Sequence, residues 1–275
     1  METSVGGCYM KAALVAEPAI YWHGEIKLLY TMVAVAAGAQ CDYFKYQMFD
    51  TKYLTGKFKA KESFYNSCQL SKADLLALKL TVEKSGMKFL TTVMTPNKLE
   101  VLQDMKAKYV KIASGQVGKK LIDAINCYEW DEVFVSTGML DDERKLDLIR
   151  EIKCSNVNVM HCTSLYPQYD SESNISRITS LKNYLGDKFH YGYSDHSLDD
   201  LACIHAASLG AEYIERHFMI DGCYGPTCQV CCNQQELINL GAMLRRLSVI
   251  HGDGNLLMQD REYESYNHYK NRFMF

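Results

Sequence analysis

Short apolar runs recur along the chain, and most are followed by a stretch in which apolar residues return every three or four positions. The first pattern marks buried β-strands and the second amphipathic helices. Strands are predicted over residues 12–18, 42–48, 88–94, 109–114, 132–137, 158–163, 189–194 and 212–218. Helical patterns lie at 25–37, 72–85, 141–153 and 198–209, and a last one at 234–250 closes the series. Gly38, Gly86, Gly186 and Gly210 fall just past helix ends, where left-handed caps are needed. Eight β/α units in succession predict a single-domain (β/α)8 TIM barrel of the α/β class. A doubly wound open sheet is the competing architecture, but no G-x-G-x-x-G follows the first strand. The barrel is expected over residues 1–250. Residues 251–275, polar and aromatic without clear periodicity, are expected to form a C-terminal extension. Residues 49–70 make a long second β/α loop, rich in Lys, Tyr and Ser, placed to act as a lid.

Composition narrows the function classes. The length of 275 residues suits one barrel, and 48% hydrophobic with 23% charged residues is ordinary for a globular chain with a sizeable core. A net charge of −3 provides no footprint for nucleic acid or an anionic membrane. An anionic substrate must therefore be held by a few placed lysines. Residues 1–10 lack the basic-then-apolar pattern of a signal peptide, and no apolar run approaches the length of a membrane span. Eleven cysteines without a secretory signal are expected as reduced thiols in the cytoplasm.

The candidate chemistry lies at strand ends, where a barrel assembles its active site. In Gly192-Tyr193-Ser194-Asp195-His196 and Glu215-Arg216-His217-Phe218, Ser194 and His196 share one side of a strand, as do Glu215 and His217. Two neutral imidazoles with carboxylates nearby suit a divalent metal such as Mn²⁺ or Zn²⁺. Other strand ends carry Glu17; Lys45 and Gln47; Thr92 and Thr95; Lys111 and Ser114; Ser136 and Thr137; His161, Thr163 and Ser164. Inward lysines need an anionic partner, because a buried unpaired ammonium costs several kcal/mol. That partner is either a ligand or a core carboxylate in a structural ion pair. Ser114-Gly115 and Ser136-Thr137-Gly138 add hydroxyl donors and close backbone approach. Together these residues describe a pocket for a small phosphorylated carboxylate.

The strings Val15-Ala16-Glu17, Phe44-Lys45-Tyr46-Gln47, Thr95-Pro96, Tyr109-Val110-Lys111-Ile112-Ala113-Ser114-Gly115, Ser136-Thr137-Gly138-Met139, His161-Cys162-Thr163-Ser164 with Tyr166-Pro167, and the two histidine strings resemble the catalytic barrel of the sialic acid synthase (N-acetylneuraminate synthase) family. These enzymes condense phosphoenolpyruvate with an amino-sugar. The resemblance covers most of residues 12–250. It implies that Lys45, Thr95, Lys111, Ser114, Ser136, Tyr166 and Ser194 hold phosphoenolpyruvate. It implies further that His196 and His217 bind Mn²⁺ or Mg²⁺, that Glu17 serves acid/base chemistry, and that Gln47 contacts the sugar. The catalytic set so implied is Glu17, Lys45, Lys111 and His217, with Gln116 and Ser164 also at the substrate.

The sequence departs from the family on the sugar side. The family's N-H-N-G reads Tyr21-Trp22-His23-Gly24, its acidic residue after the Ser-Gly of strand four is Gln116, and an Asn usual in the His-Cys-Thr string is Ser164. The P-G-P-D loop reads Tyr224-Gly225-Pro226-Thr227, and the family's C-terminal antifreeze-like domain is not found. The expected function is metal-dependent condensation of phosphoenolpyruvate with an aldose, such as N-acetylmannosamine, to a sialic-acid-like 2-keto acid with phosphate release. The competing expectation is a non-catalytic phosphoenolpyruvate-binding barrel with a regulatory or partner role. A third reading takes Cys223-x₄-Cys228-x₂-Cys231-Cys232 as an iron–sulfur or zinc site. Expected partners are the two small substrates, with no nucleic acid or membrane, and either a second copy or a partner subunit supplying a cap. Tyr263, Tyr266, Tyr269, Phe273 and Phe275 of the tail are candidates for a subunit contact.

Overall fold

The computed structural model describes residues 11–270 and residue 272. The stretch 1–10 read above, and Phe273 and Phe275 of the tail, lie outside the described residues. Eight parallel strands close a barrel in chain order: β1 Ala13–Glu17, β2 Tyr43–Met48, β3 Lys88–Val93, β4 Tyr109–Ile112, β5 Glu132–Ser136, β6 Val157–Cys162, β7 His190–Asp195 and β8 Tyr213–His217. Pairing of β1 with β8, which sets Glu17 beside His217, closes the ring. This is the single (β/α)8 domain predicted.

The helices are α1 Ile26–Gly38, α2 Gly56–Lys59, α3 Glu62–Ser67, α4 Lys72–Lys84, α5 Leu99–Asp104, α6 Lys119–Ile125, α7 Arg144–Ile149, α8 Asp170–Ser173, α9 Arg177–Leu185, α10 Leu201–Ser208, α11 Gln234–His251 and α12 Glu262–Tyr269. The pattern at 141–153 yields only α7, because the Asp142 carboxylate accepts from the Arg144 amide and starts the helix late. The short helices α5, α6 and α9 carry too few turns for periodicity to mark them. Gly86, Gly186 and Gly210 have positive φ as expected, but Gly38 closes α1 as a helical residue. The left-handed position falls to Gln40.

Inside the barrel, side chains alternate with a period of two and stack in layers. At the N-terminal mouth Glu132 accepts from Tyr43, from Lys88 at 2.6 Å and from Asn158 at 3.0 Å. Above it Val15, Leu90, Phe134 and Met160 form a dry apolar layer. The next inward positions up each strand are Glu17, Lys45, Thr92, Lys111, Ser136, Cys162, Ser194 and Glu215, all buried. The apolar layer separates this charged tier from the N-terminal mouth, and the cavity over it opens at the C-terminal one.

The loop from 49 to 70 folds over that mouth with α2 and α3. It is tied down where the Tyr46 hydroxyl donates to the Cys68 carbonyl at 3.0 Å and accepts from the Leu70 amide at 3.2 Å. The β1–α1 loop backs against it at Gly24, whose φ is +79° and where a Cβ would lie 2.4 Å from the Ser67 carbonyl oxygen. Among the described residues no helix is long and apolar enough to cross a membrane. Their ten cysteines are all free thiols.

Candidate active site

A cavity of about 830 Å³ opens at the C-terminal mouth. Of the residues singled out in the sequence, it is lined by Glu17, Lys45, Gln47, Lys111, Ser114, Ser136, Ser164, Tyr166, Ser194, His196 and His217. Thr95 and Gln116 do not line it. Thr95 caps the turn before α5 and Gln116 is exposed beyond Gly115, so both sit past the inward register of their strands.

The floor is built around Glu215, which the strand pattern placed beside His217 without assigning it a role. Glu215 accepts from Lys45 at 2.6 Å, from Lys111 at 2.6 Å through both carboxylate oxygens, and from the Ser194 hydroxyl at 2.9 Å. Lys45 also meets Glu17 at 2.8 Å, and Gln47 Nε2 donates to the other Glu17 oxygen at 2.6 Å. Burial raises the Glu215 pKa, but the two ammoniums more than offset this and hold it well below the usual carboxylate range. Burial lowers the pKa of both lysines. For Lys45, with two carboxylates, attraction wins and its pKa rises; for Lys111 burial wins and its pKa falls. Glu17, raised by burial but pulled down by Lys45 and His217, stays ionised. The signal for Glu215 was in the sequence: it shares parity with His217, and two inward lysines require a counter-charge.

The strand parity at β7 and β8 is as read. Ser194, His196, Glu215 and His217 face the cavity, while Asp195 and Arg216 face outward. There Arg216 pairs with Asp195 and donates to the Ser197 carbonyl at 3.0 Å, and the Tyr193 hydroxyl donates to Asp195 at 2.8 Å. This buried lock fixes both strand ends from behind. The parity at β6 runs opposite to the expectation that His161 and Thr163 reach the rim. His161 Nε2 bonds the Ser173 carbonyl at 2.8 Å and Thr163 donates to the Glu172 carbonyl at 3.0 Å. Cys162 and Ser164 take the inward places. Alternation fixes two faces of a strand but not which of them turns in.

Ser114 and Ser164 converge because Gly138 lies between them. A Cβ there would meet Ser164 Oγ at 2.5 Å, Ser114 Oγ at 2.6 Å and the Cys162 carbonyl at 3.1 Å. Ser136 lines the same wall. The Gly138→Ala variant is expected to fold but to weaken anion binding about tenfold or more, read by calorimetry with phosphoenolpyruvate. Unchanged affinity would remove this wall from the binding site.

His196 and His217 stack 5.3 Å apart, with the Tyr166 ring 4.1 Å from His196. His196 Nδ1 donates to the Thr163 carbonyl at 2.9 Å, which leaves the lone pair on Nε2 in the neutral tautomer. His217 Nδ1 is buried with no hydrogen-bond partner, 3.4 Å from Glu17 Oε2. Burial carries the His217 pKa down to about 4 against the pull of Glu17, so the ring is neutral at pH 7. For His196 burial lowers the pKa, but Cys162 more than offsets this and raises it, so a metal at its Nε2 would compete with a proton. A neutral His217 with an orphaned nitrogen beside His196 Nε2 is a donor set that fits a divalent metal. No group of three or more His, Cys, Asp and Glu is arranged to hold a metal among the described residues. The cysteines from 223 to 232 therefore do not form the iron–sulfur or zinc site considered above. Cys231 faces Tyr21, whereas Cys232 is buried near Arg216.

Thr92, expected at its strand end, reaches the floor with a buried hydroxyl that has no partner among the described residues. Other lining residues have no role assigned from the sequence. Phe58, Lys61 and Tyr65 come from the lid, and Tyr21, Pro226 and Thr227 close the opposite side. The Tyr21 hydroxyl bonds the Pro226 carbonyl at 3.0 Å and Thr227 at 2.9 Å. Only the folded loops bring these together.

Residues 32–256 match the model of the NeuB family. The N,N'-diacetyllegionaminic acid synthase of Campylobacter jejuni is 28% identical over 268 residues, covering 89% of this chain and 78% of that protein. The enzyme of the same name from Legionella pneumophila is 25% identical, covering 93% and 78%. The crystal structure of N-acetylneuraminic acid synthetase from Leptospira borgpetersenii, in complex with citrate, superposes with a TM-score of 0.83 at 26% identity, covering 96% of this chain and 93% of that one. The barrel, its charged floor and these likenesses converge on one assignment: this chain belongs to the NeuB family.

Proposed function

We propose that the chain is a synthase of the sialic-acid type. It would condense phosphoenolpyruvate with an aldose, an amino-sugar such as N-acetylmannosamine or a related aldehyde, and release phosphate. Family membership supports the condensation, and the observation that carries the substrate is the floor. Lys45 and Lys111 converge on one point with Ser194, beside the Ser114, Ser136 and Ser164 hydroxyls. Carboxylate and phosphate of a small anion need those two kinds of donor side by side.

In the reaction the methylene carbon of phosphoenolpyruvate bonds to the aldehyde carbon, whose oxygen takes up a proton. Water adds to the enol carbon and gives up a proton, and phosphate leaves to yield the 2-keto acid. Lys45 and Lys111 orient the anion for this attack, so much of the acceleration is positioning and fixed charge. Glu215 acts through them, keeping both ammoniums charged in a buried site. Glu17, held ionised, receives the proton of the adding water, and Gln47 fixes its carboxylate. The lid limits bulk water. Mn²⁺ or Mg²⁺ held by His196 and His217 would polarise the aldehyde oxygen when bound.

A chelator is expected to abolish phosphate release and added Mn²⁺ to restore it. The His196→Ala variant is expected to bind Mn²⁺ at least about tenfold more weakly by calorimetry. Unchanged binding would remove His196 from the metal. The same reading assigns the enzyme to a reducing cytoplasm, as a barrel over 1–250 with an extension over 251–275, working as a homo-oligomer or beneath a partner's cap.

The rival reading, a barrel that binds phosphoenolpyruvate without turnover, draws on one observation. Both lysines are already satisfied by Glu17 and Glu215, so the cluster could stand as a structural ion-pair core. Phosphate release from phosphoenolpyruvate with Mn²⁺ across a panel of aldoses, with Lys111→Met as control, separates the two. Release that depends on an acceptor and on Lys111 establishes the synthase. Binding without release for every acceptor establishes the rival.

A further inference from the structure

One polar group on the cavity floor stays outside the bonding that holds the rest together. Thr92 lines the cavity and is 1% exposed, and its hydroxyl has no hydrogen-bond partner among the described residues. A buried hydroxyl without a partner has given up its bonds to water for nothing in return, so its retention needs a reason. Its neighbours in the same tier are satisfied. Lys45 and Lys111 are held by Glu17 and Glu215, the Ser194 hydroxyl donates to Glu215, and Gln47 donates to Glu17.

An orphaned hydroxyl by itself does not mark a site, since Thr91 and Thr95 also carry buried hydroxyls without partners. Strand alternation turns Thr91 outward from the barrel, and neither of these two lines the cavity. Of the three, Thr92 is the one set on the floor. It pairs in register with Gln47 of β2 on one side and with Lys111 of β4 on the other. Neighbouring strands lie about 4.8 Å apart, so the side chain stands beside the root of one of the two floor ammoniums. A hydroxyl proton needs an acceptor, and a lysine offers donors only. The acceptor must come with whatever fills the cavity.

We propose that Thr92 is a binding residue for phosphoenolpyruvate, its hydroxyl donating to an oxygen of that anion, in the role that the resemblance gave to Thr95. The inference rests on the synthase reading given above and deepens it by adding a residue to the same floor. The anion is favoured over the aldose by position. Beside Lys111 at the bottom of the cavity there is a cation for a compact charged group, and an O–H donor next to an ammonium suits the same group. Such a bond is made equally well before and during bond formation, so it acts on affinity and not on the chemical step.

Thr92→Val removes the hydroxyl at nearly constant shape, and Thr92→Ser keeps it. Calorimetry with phosphoenolpyruvate and Mn²⁺, without aldose, is expected to give a Kd about tenfold or more higher for Thr92→Val, the usual worth of a hydrogen bond to a charged group. Thr92→Ser should retain the affinity. The urea midpoint of ligand-free Thr92→Val should stay or rise, because the group removed had no partner. In turnover, KM for phosphoenolpyruvate should rise with kcat nearly kept. Thr91→Val, which deletes an orphaned hydroxyl from the outer face of the same strand, should leave the Kd unchanged. Wild-type affinity in Thr92→Val overturns the proposal and leaves the synthase reading intact. So does a fall in its urea midpoint, since the hydroxyl would then be holding the floor together. An equal loss of affinity in Thr91→Val, or a KM raised for the aldose alone, also overturns it. A wild-type protein that binds no phosphoenolpyruvate overturns the synthase reading itself, and the proposal with it.

Discussion

Lys111→Met is expected to lower kcat/KM for phosphoenolpyruvate by about 10³-fold or more, the loss typical of removing one fixed charge or donor aimed at a developing anion. Lys111 is 2% exposed and touches both oxygens of Glu215 at 2.6 Å. Methionine nearly fills its volume without its charge, so the change tests electrostatics and not packing. Glu215 keeps Lys45 and Ser194 in the variant, which leaves that carboxylate paired and the barrel folded. The loss should appear in kcat as well as KM, because an ammonium that only bound the ground state would move KM alone. Steady-state phosphate release together with calorimetric affinity gives the split. A variant with wild-type turnover would reduce Lys111 to a structural ion pair and remove the floor from the mechanism.

Glu215→Gln should have the larger effect on stability. Lys45 keeps Glu17, but Lys111 loses the only carboxylate within ion-pair distance of it among the described residues. Breaking a buried ion pair on one side costs about 3–5 kcal/mol, because the remaining charge stays desolvated. Urea unfolding at pH 7 measures the deficit. Its pH dependence identifies the cause. In the wild type, burial already holds the Lys111 pKa below its ordinary value. The unfolded chain thus binds more protons between that lowered value and about 10.4, and stability rises with pH across this window. Losing Glu215 lowers the folded pKa further and widens the window downward, so the deficit should shrink as pH is raised from neutral toward 9. A deficit that is the same at both pH values would mean lost packing and not an uncompensated ammonium.

The two variants separate what the floor does from what it costs to build. Lys111→Met removes an orienting charge while leaving the remaining pairs intact. Glu215→Gln keeps the shape and strands a charge. Residual activity in Glu215→Gln at elevated pH would be no evidence for recovery of function, since Lys111 is then neutral; only its stability is expected to recover.

Much of the site was legible in residue pattern. The strand ends at Glu17, Lys45, Lys111, Ser136, Ser194, His196 and His217 all reach the cavity, because a strand's alternation is local and a barrel places its strand ends at one mouth. Where the pattern misled, the cause is equally physical. At β6, polar residues occupy both faces, His161 and Thr163 on one and Cys162 and Ser164 on the other. Polarity therefore gave no sign of which face turned inward. His161 is satisfied by the Ser173 carbonyl of the following helix, a partner that exists only once α8 has folded against β6. Thr95 and Gln116 were carried by likeness of short strings, and both lie a step beyond the inward register.

The amino-acid sequence by itself determined the order of eight strands, the side each residue takes along its own strand, and the presence of inward lysines that demand counter-charges. Those properties depend on neighbours a few positions away. The tertiary structure decided how the demand is met: barrel closure brings Lys45 and Lys111, 170 and 104 residues from Glu215 in the chain, each to 2.6 Å from its carboxylate. It also decided that Thr92 reaches the floor with no partner for its hydroxyl among the described residues. Charge pairing acts over a few ångströms of space and carries no fixed spacing in sequence, so it is settled only when the ring of strands closes.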